Sequence, residues 1–225
     1  MKSALRWERA PLLALAVGTL LLAAWAGIVR MGWNWPVLFP ALPMSHGPLM
    51  IGGFLGTLIG LERAVGVQKR WAYAGPLLSG VGGLLLIAGA PTAWGAALML
   101  LGSGVLVAVF VGIIRTVPAL YTVAIGLGAL LWLIGNGLWL AGWSIPQVVL
   151  WWAGFLVMTI AGERLELSRM LRLSATASRL FVAATALFWG RVARLSGRLP
   201  VRCAPDRAGD AGPGRTAGPL RHCLA

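Results

Sequence analysis

Thiols, imidazoles and carboxylates are all scarce in this chain of 225 residues, and each scarcity removes a class of chemistry. The two cysteines, Cys203 and Cys223, both lie among the last 23 residues, so residues 1–202 contain no thiol nucleophile, no disulfide and no cysteine metal ligand. Of the two histidines, only His46 falls in the apolar part of the chain; His222 lies close to the end. Charged residues make up 11% of the total, against about 25% in ordinary soluble domains, which excludes a soluble enzyme of the usual kind. No glycine-rich nucleotide loop, no carboxylate pair at metal-ligand spacing and no nucleophile–base arrangement occurs.

What is abundant is apolar sequence. Hydrophobic residues account for 59%, and they gather into six runs: 11–28, 43–61, 72–90, 95–114, 119–141 and 146–162. About 20 residues at 1.5 Å each cross the hydrocarbon core, so each run reads as a transmembrane helix. The basic residues at their ends alternate in side. Lys2, Arg6, Arg9, Arg63, Lys69, Arg70, Arg115, Arg164, Arg169, Arg172 and Arg179 fall on one side, and Arg30 alone on the other. The positive-inside rule then places the amino terminus and the even-numbered connections in the cytoplasm, in a bacterial-type inner (plasma) membrane. The net charge of +13 comes from these flanks and from a basic carboxyl end, so anionic lipid is the expected partner and nucleic acid is not.

Tryptophan supports these spans. Trp33, Trp35, Trp71, Trp94 and Trp143 stand at span ends, where an indole buries its ring and keeps its N–H wet. Trp132 and Trp139, seven apart, share one face of the fifth span and are expected to pack against a neighbour or a bound group. The segment 29–42, with Gly32, Trp33, Trp35, Pro36, Phe39 and Pro40, reads as a loop in the head-group region. Ala24-Trp25-Ala26 loosely fits a signal-peptidase site, but five further spans follow, and an uncleaved first helix is the simpler reading.

Gly52, Gly56 and Gly60 form a small-xxx-small stripe, which predicts a central second helix with another backbone pressed against it. An internal repeat also appears. Gly53-Phe54-Leu55, Ile59 and Glu62-Arg63 recur as Gly154-Phe155-Leu156, Ile160 and Glu163-Arg164 at a constant offset of 101. The second span maps onto the sixth, so the unit is four helices and at least eight were intended. A seventh apolar run, 180–190, ends after 11 residues at Arg191. Beyond it Arg, Gly, Pro and Ala supply 22 of the last 35 residues. The fold expected is therefore an all-α polytopic transmembrane bundle with six full spans and an incomplete seventh over residues 1–190. Residues 191–225 read as a disordered basic tail, either natural or the product of a shifted reading frame. Helices missing from the carboxyl end, or a homo-oligomer, would complete such a bundle.

Few residues can carry chemistry. Intramembrane ionisable groups are functional candidates by default, and a neutral imidazole is a usual haem or copper ligand. His46 opens the second span in Ser45-His46-Gly47-Pro48-Leu49-Met50, with Met50 one turn on. The alternative is an interfacial histidine that caps its helix. Ser-His-Gly-x-Leu-Met at this position resembles the haem-ligand segment in subunit I of the haem–copper oxidases. The stretch 46–61 is similar to the NnrS family of haem- and copper-containing membrane proteins linked to nitric oxide stress. The resemblance implies haem as cofactor, His46 as an axial ligand and Met50 beside it. Those families carry further histidines in later helices and this chain does not, so a copper centre cannot be assembled from it alone.

Two further features stand out. Glu62-Arg63 and Glu163-Arg164 end their spans on the cytoplasmic side, and cross-pairing of Glu62 with Arg164 and of Arg63 with Glu163 would form a clasp. Read more sharply, they are the inner gate of a small-solute or ion transporter, and a third reading is a non-functional fragment of either protein. Asn136, between Gly135 and Gly137 deep in the fifth span, must find a hydrogen-bond partner on another helix.

Overall fold

The computed structural model describes residues 9–167 and 175–196. Every regular element among them is helical: α1 (Ala10–Arg30), α2 (Pro43–Val67), α3 (Ala74–Ile87), α4 (Thr92–Thr116), α5 (Leu120–Leu140), α6 (Ile145–Leu167) and α7 (Ala175–Ser196). Five of them, α1, α2, α4, α5 and α6, are long and apolar enough to cross a membrane.

Of the six runs read as spans, α3 is the one not among these five. Its regular part is 14 residues, about 21 Å at 1.5 Å per residue, short of a hydrocarbon core of about 30 Å. A 3-10 turn, Arg70–Tyr73, leads into it. The reason lies in the sequence that surrounds it: Gly75, Gly80, Gly82 and Gly83 weaken helix propagation, and the glycine at 89 takes φ +76 to end the turn. The helix is nevertheless well packed, with all four glycines, Pro76 and Ser79 buried. At the other end of the chain, α7 runs from Ala175 through Arg191 and Arg194 to Ser196. It exceeds the 11-residue segment expected there, but it is not among the five membrane-length apolar helices. Residues 197–225, most of the expected tail, lie outside the described residues.

Three clusters of buried side chains form the core, the smallest being Ala64, Ala72 and Val109. Ile59 of α2, Leu106 and Phe110 of α4, Ile125 and Trp132 of α5, and Trp152 and Phe155 of α6 make the first. Trp132 stacks on Phe155 at 5.0 Å between ring centroids, and Trp139 meets Trp152 edge-on at 5.6 Å. The face shared by Trp132 and Trp139 is thus packed against α6. The second cluster joins α1, α2, α3 and α4 through Ala23, Ala26, Leu49, Leu86 and Met99.

The repeat has a structural counterpart. Carried forward by 101 residues, the bounds of α2 fall within one residue of those of α6, and Ala74 at the start of α3 falls on Ala175 at the start of α7. Equivalent glycines also face equivalent helices. A Cβ on Gly83 of α3 would sit 3.1 Å from the Cα of Gly53 in α2, and a Cβ on Gly154 of α6 would overlap Trp189 of α7. The first helices of the two halves are less well aligned because Met31–Leu42 is longer than the connection between α5 and α6.

Candidate functional site

Helix α2 is the most irregular element and carries both groups of candidate residues. It starts as a 3-10 turn at Pro43–Ser45, makes a single α-turn at His46–Pro48, passes into a π-helix over Leu49–Gly56 and resumes as α-helix from Thr57. Pro48 has no N–H to give, and three of the next eight residues are glycine, so little holds this stretch to the α-helical pattern. π-Helical segments recur at functional sites.

At the amino end of α2, His46 is half-buried against α1. Its Nδ1 lies 2.7 Å from the carbonyl oxygen of Ala23. A carbonyl only accepts, so Nδ1–H donates and the lone pair is left on Nε2. The ring rests on Gly27, where a Cβ would come within 2.9 Å of Cε1. Gly27 therefore makes the space that the imidazole occupies. Met50 packs against the second core cluster, alongside Leu22 and Trp25 of α1. The connection between α1 and α2 is pinned over this end: Trp25 Nε1 donates to the Pro36 carbonyl at 3.0 Å, and Trp25 lies 4.4 Å from Trp35. Trp33, Trp35, Leu38 and Phe39 remain exposed.

The glycine stripe faces three helices, and at Gly60 it meets the backbone of one of them. Gly52 faces Met99 of α4, Gly56 faces Trp132 of α5 and Gly60 faces Pro76 of α3. Each therefore receives a side chain from a different helix. The backbone of α3 comes close at Gly60, where a Cβ would lie 3.4 Å from the Pro76 nitrogen, and at Gly53, which lies against Gly83. An i→i+5 helix holds more residues per turn than an α-helix, so positions four apart no longer share one face.

Asn136 is 1% exposed and is fully engaged. Its Nδ2 donates to the Met99 carbonyl at 3.2 Å and to Ser103 Oγ at 3.3 Å, and its Oδ1 accepts from Trp152 Nε1 at 3.0 Å. Ser103 donates its own hydroxyl proton to the Leu100 carbonyl. One side chain thus fastens α4, α5 and α6 together. Sequence reasoning required a partner for Asn136 but had no signal that would identify Ser103 or Trp152.

At the carboxyl end of α2, Arg63 Nη2 reaches Glu163 of α6 at 3.3 Å and Glu62 of its own helix at 3.6 Å. The Arg63–Glu163 half of the expected clasp is present. The other half is not: among the described residues Glu62 makes no ion pair with Arg164, because Glu62 turns to its neighbour instead. The Arg63 side chain is 16% exposed and lies over the Phe110 ring at 5.6 Å. A cavity of about 190 Å³ opens beside it, walled by α2, α4, α5 and α6, with Tyr121 and Glu166 among its lining residues. Phe110, Tyr121 and the lining role of Glu166 were not legible in the sequence.

No group of three His, Cys, Asp or Glu side chains close enough to hold a metal ion exists among the described residues. A family model described as "Domain of unknown function (DUF8744)" matches residues 9–204, a stretch that takes in all seven helices. No curated protein and no solved structure matches the chain.

Proposed function

The chain belongs to this family of unknown function, DUF8744, and within it we propose that the protein is an integral membrane haem protein with His46 as an axial ligand. The observation that carries the reading is the contact of His46 Nδ1 with the Ala23 carbonyl. A ligating imidazole characteristically donates its second N–H to a carbonyl or carboxylate, which fixes the ring and raises the basicity of the ligating nitrogen. His46 makes that bond to Ala23 at 2.7 Å and keeps Nε2 for a ligand. The donor set favours haem over a bare ion. A metal ion held by protein alone needs three or four donors, and no such group exists among the described residues. A haem brings four nitrogen donors of its own, so one imidazole is enough. Met50 packs into the core beside α1 and would form part of the wall. His46 would hold the haem, which when bound would supply binding of a small diatomic ligand, the link to nitric oxide implied by the NnrS resemblance.

Protein purified in detergent from haem-replete cells should show a Soret band. His46→Ala should lose it, and His46→Gly should regain it with added imidazole. Wild-type protein without the band would overturn the haem reading.

A second reading is supported by the basic end. The Arg63–Glu163 pair joins the two repeat-related helices beside a cavity that Arg63 lines, as an inner gate for a small solute or ion would. Flux into proteoliposomes that rises when Glu163 is replaced by Gln would favour it.

A further inference from the structure

The cavity at the basic end of the bundle has the chemistry of a binding site for a small zwitterion. Its volume of about 190 Å³ corresponds to roughly six waters at ~30 Å³ each, the size of an amino acid or of a lipid head group. Its lining is not the uniformly apolar one that closes between packed helices. Glu166 of α6 brings a carboxylate that forms no ion pair among the described residues. Tyr121 of α5 brings a phenol. α4 and the residue that follows it contribute only apolar lining, Phe110, Ile113 and Val117, while Arg115 of α4 is exposed.

The opposite sign comes from Arg63 of α2. Both of its carboxylate partners approach through the same nitrogen, Nη2. Nε is buried with no hydrogen-bond partner, a condition that is costly to leave unmet in a low-dielectric site. Nη1 is paired with neither Glu62 nor Glu163, so the guanidinium keeps donor capacity that those carboxylates do not use. Helix polarity is mixed here, since the amino end of α5, at Tyr121 and Thr122, brings partial positive charge and the carboxyl end of α6, at Glu166, partial negative charge. The carboxyl end of α4 lies at this cavity, with its partial negative charge, which favours an ammonium near Glu166.

We propose that this cavity binds a molecule carrying an ammonium group and an acidic group a few bonds apart, the ammonium on Glu166 and Tyr121 and the acid on Arg63. The site is separate from His46, which lies 17 residues earlier on α2, and it requires neither haem nor transport. Two sources present this chemistry: the ethanolamine phosphate of an aminophospholipid, and a free amino acid.

The purified full chain is tested in two arms, with tryptophan fluorescence and gel filtration checking the fold of each variant. In the first, native mass spectrometry compares retention of palmitoyl-oleoyl phosphatidylethanolamine with the phosphatidylcholine analogue, whose methylated ammonium cannot donate hydrogen bonds. In the second, calorimetry measures binding of L-leucine. Preference for the ethanolamine lipid identifies a lipid site, and leucine binding identifies a soluble ligand. In either case Glu166→Gln should weaken binding about tenfold or more, the loss of one charge-assisted contact. Val117→Trp, at an exposed position on the cavity rim, should block it without touching a charge. Absence of both lipid preference and leucine binding, or binding that survives both variants, overturns the proposal.

Discussion

At the scale of single residues, the position of His46 depends on an atom that is missing from α1. Gly27→Ala should push the imidazole off the Ala23 carbonyl, because the new Cβ would stand 2.9 Å from Cε1. The expected cost is about 1 kcal/mol, the net worth of one hydrogen bond, and more if Nδ1 stays buried without a partner. Gly18→Ala on the same helix meets nothing within 4 Å and should be neutral or stabilising by up to ~1 kcal/mol through helix propensity. Thermal unfolding in detergent compares the two. Equal melting temperatures would show that the ring is not seated on Gly27. Asn136→Leu takes the acceptor from the buried Trp152 N–H. The loss should be ~1–2 kcal/mol, above the ~0.6 average for membrane hydrogen bonds because three contacts go together. In the Asn136→Leu background, Trp152→Phe should cost less than it does alone. Additive losses would mean that the two side chains do not interact.

At the scale of elements, two contacts tie the repeat-related parts together. Arg63→Glu should weaken the α2–α6 contact, and Glu163→Arg added to it should recover part of the loss. The recovery expected is about 1 kcal/mol or less, since the Glu163 side chain is 42% exposed and the pair is partly screened. Reversible unfolding in mixed micelles reads this coupling, and a double variant no better than the sum of the singles would remove the clasp. The docking of α7 depends on one glycine. Trp189 fills the space over Gly154 and lies 6.3 Å from Trp151. Gly154→Val should therefore release α7, seen as faster proteolysis between α6 and α7. An unchanged cleavage rate would place Trp189 elsewhere.

At the scale of the whole molecule, orientation rests on the distribution of basic residues. A reporter fused after Gly66 should read cytoplasmic and one after Trp94 exterior. The second is the more demanding, because α3, which separates them, has only 14 residues of regular helix. Both reporters on one side would show that α3 enters and leaves by the same face. The four-helix unit makes this a question of architecture, since α3 and α7 are its equivalent elements and neither is a membrane-length apolar helix.

Sequence alone determined the features that composition and period dictate. Long apolar runs bounded by charge can satisfy their backbone only as helices in lipid, so the all-helical class and the bounds of α1, α4, α5 and α6 were legible to within a few residues. The offset of 101 was legible too, because it is a property of order along the chain. Local pattern did not determine where helices thin or widen. Apolar residues at α3 extend far enough for a span, but the glycine content and packing of that segment leave a shorter helix. The π-segment of α2 rotates the glycine stripe, so Gly52 and Gly56 meet side chains while Gly53 and Gly60 meet the backbone of α3. The partners of the polar groups were likewise decided only in three dimensions. Ala23 and Gly27 with His46, Ser103 and Trp152 with Asn136, and Arg63 rather than Arg164 as the partner of Glu62 are choices among residues distant in sequence or equal in type. They are settled by which helix faces which, and by how closely glycine lets them approach.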